Sequence, residues 1–162
     1  MVGQPVGQPP AARRAAGFTL IELLVALTVL GVLSAVALPS FREMVANQRL
    51  KTVSSDIYTA LVRTRGEAIK RNTPVTLAPI DANQWASGWR IMNPTQAGVV
   101  LEEHEPLKTT TIVAPATVTY LANGRISGSD APVFNIVVDG SDNLRCVTAD
   151  LSGRPLITKL AC

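Results

Sequence analysis

Residues 18–38 form a 21-residue run in which Glu22 is the one charged side chain, and no other feature restricts the chain so strongly. At about 1.5 Å of helical rise per residue the run spans roughly 31 Å, the thickness of a bilayer's hydrocarbon core. It also accounts for the mean hydropathy of +0.24, because the rest of the chain has an ordinary soluble composition. A disordered tail is excluded, since 47% of the 162 residues are hydrophobic and only 17% are charged. The formal charge of +3 makes no general case for nucleic acid. Arg13 and Arg14 precede the run, and without them 13 basic side chains face 12 acidic ones. Aromatics at 4% offer few stacking platforms, and two cysteines with one histidine are little material for a metal cluster.

Two membrane readings compete for this run. A removable secretory signal would use Arg13-Arg14, the apolar centre and Ala35-Val36-Ala37 as a small-residue cleavage site. A retained helix would instead lose only a short leader ahead of it. Glu22 favours retention. A central acidic residue costs roughly 2.5–3.5 kcal/mol on insertion scales, and a disposable signal has no use for it. The run is also longer than a typical signal core.

Gly17-Phe18-Thr19-Leu20-Ile21-Glu22-Leu23-Leu24 resembles the processing site of type IV pilins and type II secretion pseudopilins. The resemblance implies that a prepilin peptidase removes residues 1–17 by cutting after Gly17, then methylates the new terminal amine of Phe18. It also implies that Glu22, fifth in the mature chain, pairs with the terminal amine of a neighbouring subunit. The physics agrees, because a carboxylate in apolar surroundings persists where a cation satisfies it. Pro39 falls where many pilin helices carry a helix-disturbing proline. Its missing backbone donor predicts a kink or local melting there.

Helical periodicity resumes after Pro39. Ala46, Leu50, Val53, Ile57, Leu61 and Ala68 recur mostly three or four apart, predicting an apolar stripe on a helix that ends near Asn72-Thr73-Pro74. The remaining face is basic: Arg42, Arg49, Lys51, Arg63, Arg65, Lys70 and Arg71 against Glu43, Asp56 and Glu67. It reads first as a solvated face and second as a surface attracted to acidic headgroups or to neighbouring subunits. From Thr73 the pattern is β. Branched-residue runs bounded by Gly, Pro, Asn and Asp predict strands near 75–80, 88–92, 99–101, 111–114, 117–121, 133–138, 144–149 and 156–160. Asp139-Gly140-Ser141-Asp142-Asn143 reads as a hairpin connection, and residues 150–153 as another turn.

The head narrows the family. Arg65-Gly66-Glu67-Ala68-Ile69-Lys70-Arg71-Asn72 followed by Val75-Thr76-Leu77 resembles the helix end of the GspH/FimT group of minor pilins and pseudopilins. Trp85-Ala86-Ser87-Gly88-Trp89 with Arg90-Ile91-Met92 is similar to that group's tryptophan–glycine–tryptophan strand. Tyr120-Leu121-Ala122-Asn123-Gly124-Arg125 and Gly153-Arg154 are similar to its later segments. The implied architecture is α+β and type IV pilin-like, a long N-terminal helix on an antiparallel β-sheet head. Its divisions are a leader (1–17), a membrane-spanning and filament-core helix (18–38), an amphipathic continuation (39–72) and the globular head (73–162). Trp85 and Trp89 read as core anchors.

An extracytoplasmic head sits in an oxidising compartment, so Cys146 and Cys162 read as a disulfide, with two free buried thiols as the alternative. Glu102-Glu103-His104-Glu105 reads as a solvated acidic turn, because consecutive strand residues point to different sides and cannot converge on a metal. The Asp139–Asn143 oxygens lack EF-hand spacing. Neither a nucleophile triad nor a phosphate loop is present in the sequence, so no enzymatic activity, metal or cofactor is expected.

Some FimT-like proteins bind DNA through a Gly-Arg-x-Arg motif near the carboxyl terminus. Here the segment is Gly153-Arg154-Pro155-Leu156, with leucine at the second arginine position. Arg154, Lys159, Arg145 and Arg125 form the candidate double-stranded DNA contacts. A tight turn at Gly153 would project Arg154, held near Arg145 by the Cys146–Cys162 bridge. Against that, residues 72–162 hold 6 basic and 8 acidic side chains. The expectation is a minor type IV pilin of the FimT/FimU kind, anchored in the inner membrane with its head in the periplasm and built in at or near the pilus tip. The alternatives are a GspH-like pseudopilin and a DNA-binding pilin. Expected partners are other pilins or pseudopilins, the prepilin peptidase, membrane lipid and, in the last reading, DNA.

Overall fold

The computed structural model describes residues 18–160 and residue 162; the leader and Gly17 lie outside the described residues. The chain divides into two compact units, one up to Leu38 and one from Pro39 to Cys162. A single 52-residue helix, α1 (Leu20–Arg71), runs through both. In the first unit the described large apolar side chains of the helix, from Leu20 to Leu33 and at Leu38, are exposed. The helix is long and apolar enough to cross a membrane. Local melting at Pro39 does not occur, since helical structure continues through it. The missing donor removes one i→i−4 bond, to the Ala35 carbonyl, and the intact turns on both sides carry the helix past it.

The helix ends as its sequence dictates. Asn72 takes a left-handed φ of 51°. Its N–H donates to the Ile69 carbonyl and the Thr73 N–H donates to the Ala68 carbonyl, each at 3.2 Å. That pairing satisfies two of the last free carbonyls and stops the helix just ahead of Pro74.

Among the described residues the head contains eight strands: β1 (Val75–Asp81), β2 (Gln84–Met92), β3 (Val100–His104), β4 (Thr110–Val113), β5 (Val118–Tyr120), β6 (Val133–Val138), β7 (Leu144–Ala149) and β8 (Pro155–Thr158). They form two four-stranded sheets, ordered β3-β2-β1-β5 and β4-β6-β7-β8. All six pairings are antiparallel. The stripe Ala46, Leu50, Val53, Ile57, Leu61 and Ala68 is buried, and it joins side chains of both sheets in one core. Trp85 of the first sheet meets Phe134 of the second edge-to-face, with ring centroids 4.8 Å apart. The indole N–H donates to the Pro115 carbonyl at 2.8 Å, so the largest core side chain leaves no polar atom unpaired. Ser54 and Thr64, the buried polar residues on the helix, bond back to the Leu50 and Ala60 carbonyls at 2.6 Å.

Two predicted elements change. β2 begins at Gln84 rather than Gly88, because alternate burial of Trp85 and the hydrogen bond of its ring hold the unbranched Gln84–Ser87 segment in the sheet. Glu102, Glu103 and His104 belong to strand β3 and not to a solvated turn. Glu102 and His104 meet Arg63 and Asp56 of α1 there, while Glu103 and Glu105 stay exposed.

Candidate functional site

At the amino-terminal end, Thr19 caps α1. Its hydroxyl accepts the Glu22 N–H at 3.2 Å, and its carbonyl accepts the Leu23 N–H at 3.2 Å. Glu22 therefore stands at the third helical position of a Thr-x-x-Glu cap, where a carboxylate also opposes the positive end of the helix dipole. Phe18, Thr19 and Glu22 are all exposed. The signal for this cap is Thr-Leu-Ile-Glu, which lies inside the processing motif and is masked by it.

The four candidate DNA contacts do not form one patch. In the β7–β8 hairpin Cys146 lies opposite Thr158 and Ala149 opposite Pro155. Arg145 and Lys159 are thus at the open end, and Arg154 is at the turn. Four strand residues at about 3.3 Å each separate the two ends by roughly 13 Å. The disulfide joins Cys146 to Cys162 with Cα atoms 5.3 Å apart. It closes the open end, so it does not hold the Gly153 turn near Arg145. Antiparallel register is the reason: the bridge and the turn are at opposite ends of one hairpin.

Arg154 is exposed but not free. Its side chain contacts Asp150 Oδ2 at 3.1 Å, and its backbone N–H donates to Asp150 Oδ1 at 3.0 Å. The Ser152 hydroxyl donates to the same carboxylate at 2.5 Å. The Ser152 hydroxyl, the Arg154 N–H and the Arg154 side chain together lower the Asp150 pKa from 3.8 to about 2. Gly153, at φ 84°, lies against the Gly124 carbonyl, which a Cβ at this position would overlap. This contact sets the Arg154 turn beside the turn carrying Arg125. Arg65 of α1 reaches the same place and donates to the Ser152 carbonyl at 3.2 Å. Beneath lies Tyr120, whose burial pushes its hydroxyl up to about 12.

The helix's basic face is largely exposed, and three of its residues, Arg49, Arg63 and Arg65, also reach the head. Arg63 pairs with Glu102 at 2.5 Å, and Arg49 donates to the Thr109 hydroxyl. Asp56 lies 3.5 Å from His104 Nε2, whose ring stacks on Trp89 at 3.9 Å between centroids. On the other flank, Asn47 Oδ1 accepts the Ser141 hydroxyl at 2.7 Å and the Asn143 amide at 2.8 Å, docking the β6–β7 hairpin on α1. Asn47 escapes sequence reasoning, since nothing in a single polar helix residue announces a hairpin 94 residues away. Among the described residues, no group of three or more His, Cys, Asp and Glu is placed to hold a metal ion.

An exposed apolar helical segment, and a two-sheet head packed on an amphipathic helical segment, are the parts of a type IV pilin-like protein. Residues 12–38 match the prokaryotic N-terminal methylation motif. Residues 54–153 match the type II transport protein GspH family, and the chain belongs to that family. Its fold is similar to the type IV minor pilin FimU of Pseudomonas aeruginosa, with a TM-score of 0.62 and 19% identity over 69% of this chain and 90% of that one. It is also similar to EpsH, a minor pseudopilin of the type 2 secretion system of Vibrio cholerae, with a TM-score of 0.53 and 16% identity over 68% and 96%. A type IV major alpha-pilin of Moraxella bovis is 30% identical over 59 residues, which span 36% of this chain and 37% of that pilin. The chain is thus a minor pilin or pseudopilin in family, a structural class, and its methylation motif and apolar helix point to membrane anchoring.

Proposed function

We propose that this protein is a minor type IV pilin, cut after Gly17 by a prepilin peptidase, N-methylated at Phe18 and held in the inner membrane with its head in the periplasm. From there it enters the pilus, at or near the tip, where it primes assembly. The observation that carries this reading is the exposure of α1 from Leu20 to Leu38 around a single carboxylate. Lipid can cover the apolar surface, and the Thr19 cap and the helix dipole favour a carboxylate at Glu22, but neither neutralises its charge in apolar surroundings, which a cation from another chain does. Methylated Phe18 of a neighbour supplies that cation. The match to the GspH family favours a second reading, a pseudopilin of a type II secretion system built on the same physics. DNA binding is the weaker third, since Arg154 is held by Asp150 and lies at the far end of the hairpin from Arg145 and Lys159.

The test is the mass of the mature amino terminus. A start at N-methyl-Phe18, abolished by Gly17→Val, supports the proposal. A start at Leu38 would establish an ordinary signal peptide.

A further inference from the structure

Cys146 is buried without belonging to the core. In the register of β6, β7 and β8 it stands between Asn135 and Thr158, so the three side chains share one face of the sheet. Phe134, Ile136 and Val147, their neighbours along the strands, point the other way and join the core. Cys146 is nevertheless only 2% exposed. Its cover comes from beyond β8. Cys162 is joined to it with Cα atoms 5.3 Å apart, and the Cys162 N–H donates to Asn135 Oδ1 at 3.3 Å. The Thr158 hydroxyl donates to the Leu160 carbonyl at 3.2 Å, within the bend that brings the chain back across the sheet.

Two hydrogen bonds thus seat this segment on the sheet independently of the sulfur–sulfur bond. Cys162 itself is exposed. The two thiols of a reduced, folded head are therefore unequal, one beneath the segment and the other on its outer side. β7 is paired along both edges, so a reagent reaches Cys146 only by lifting the segment or opening the sheet. Access of a thiolate to the sulfur it attacks is one of the terms that set the rate of thiol–disulfide exchange.

We infer that Cys162 is the entry thiol at which a protein disulfide oxidises the folded head, and that Cys146 is the resolving thiol. The Cys162 thiolate attacks one sulfur of the oxidant. The oxidant's S–S bond breaks, and its other sulfur leaves and takes up a proton. The Cys146 thiolate then attacks Sγ of Cys162 in the mixed disulfide. The Cys146–Cys162 bond forms and the oxidant's first sulfur leaves as a second thiol, so the oxidant gains two electrons and two protons from the head. Asn135 is a positioning residue, since its hold on the Cys162 N–H keeps the mixed disulfide within reach of Cys146. The meeting of the head with such an oxidant rests on the periplasmic placement proposed above.

The experiment uses the reduced full chain in detergent, with oxidised glutathione as the probe. Cys146→Ser should take up glutathione at least about tenfold faster than Cys162→Ser, and guanidinium should bring the two rates together. Both variants lack the bond, so the comparison between them is not biased by its loss. In the parent chain, acid quenching and peptide mapping should place the first glutathione on Cys162, an arm that needs no variant. Asn135→Ala should prolong the mixed disulfide at Cys162 severalfold while leaving its rate of formation unchanged. Equal rates for the two cysteine variants in the folded chain, or a first glutathione on Cys146, overturn the inference. An Asn135→Ala chain that resolves at the parental rate overturns the part given to Asn135. A head placed outside an oxidising compartment would keep this selectivity in detergent and lack the bond in cells, so failure of the placement and failure of the inference are told apart.

Discussion

The two halves of α1 solve different problems with one secondary structure. From Ala46 to Ala68 the helix buries a single stripe and presents Arg, Lys, Asp and Glu elsewhere, so its partner is the head of the same chain. From Leu20 to Leu38 it is apolar on every side and buries none of its large side chains in the described residues. A helix hydrophobic all round calls for a covering partner, and none of the described residues buries these side chains. Leu61 is fully buried and Leu27 is 58% exposed, yet both are helical leucines. The residue type is the same, and only the source of the partner differs.

That contrast is most sharply tested by truncation. Leu61→Ala should destabilise the head by about 2–5 kcal/mol, whereas Leu27→Ala should leave head unfolding unchanged. Denaturant melts of the full chain in detergent, followed through tryptophan fluorescence, measure both. Equal effects would erase the distinction between the halves.

The disulfide comes next. Cys146 and Cys162 are separated by 16 residues. Replacing both with alanine should cost about 3 kcal/mol in head stability, by the loop-entropy relation, and should leave membrane association untouched. Calorimetry with and without reductant checks the first, and membrane fractionation the second.

Glycine substitutions give smaller effects of opposite sign. A Cβ added at Gly66 or at Gly31 would meet open space, and both residues lie in helix. Alanine at Gly66 should stabilise the head by about 0.5–1 kcal/mol, and alanine at Gly31 should not register in the head. Gly153→Ala should destabilise it by more than about 1 kcal/mol, since φ is 84° and the Gly124 carbonyl blocks the new methyl. Thermal melts of the three variants beside the parent chain measure all of these shifts.

The smallest effect is a pH dependence in the Arg154 turn. The Asp150 pKa is lowered from 3.8 to about 2 in the folded head, so its contribution is fully present above about 3.8 and is lost as pH falls toward 2. The Arg154 amide resonance should titrate near 2, and Ser152→Ala should move that midpoint up. A midpoint at the ordinary 3.8 would remove the capped-turn description.

Much of this architecture can be read from residues. The stripe on α1 follows from spacing alone, and β6 and β7 match their predicted ranges because Val133–Val138 and Leu144–Ala149 are branched or alternating runs bounded by turn residues. Where sequence reasoning fails, a partner from elsewhere in the chain decides the local structure. Gln84–Ser87 looks like a loop until Trp85 finds Phe134 and the Pro115 carbonyl. Glu102–His104 looks like a turn until pairing with β2 and the contacts of Arg63, Asp56 and Trp89 hold it as strand, with Glu102 and Glu103 still exposed. The cationic residues near the carboxyl terminus look like one group because they are close in sequence, and hairpin register divides them.

The central claim is that the exposed half of α1 is completed by other subunits through Glu22. Glu22→Ala, with membrane and sheared-filament fractions quantified from the same cells, tests it most directly. The account predicts an unchanged amount in the membrane, because removing a charge does not hinder insertion. It predicts a loss from filaments of about two orders of magnitude or more, since stranding one partner of a buried ion pair costs about 3–5 kcal/mol. Normal filament incorporation of the variant would contradict the claim.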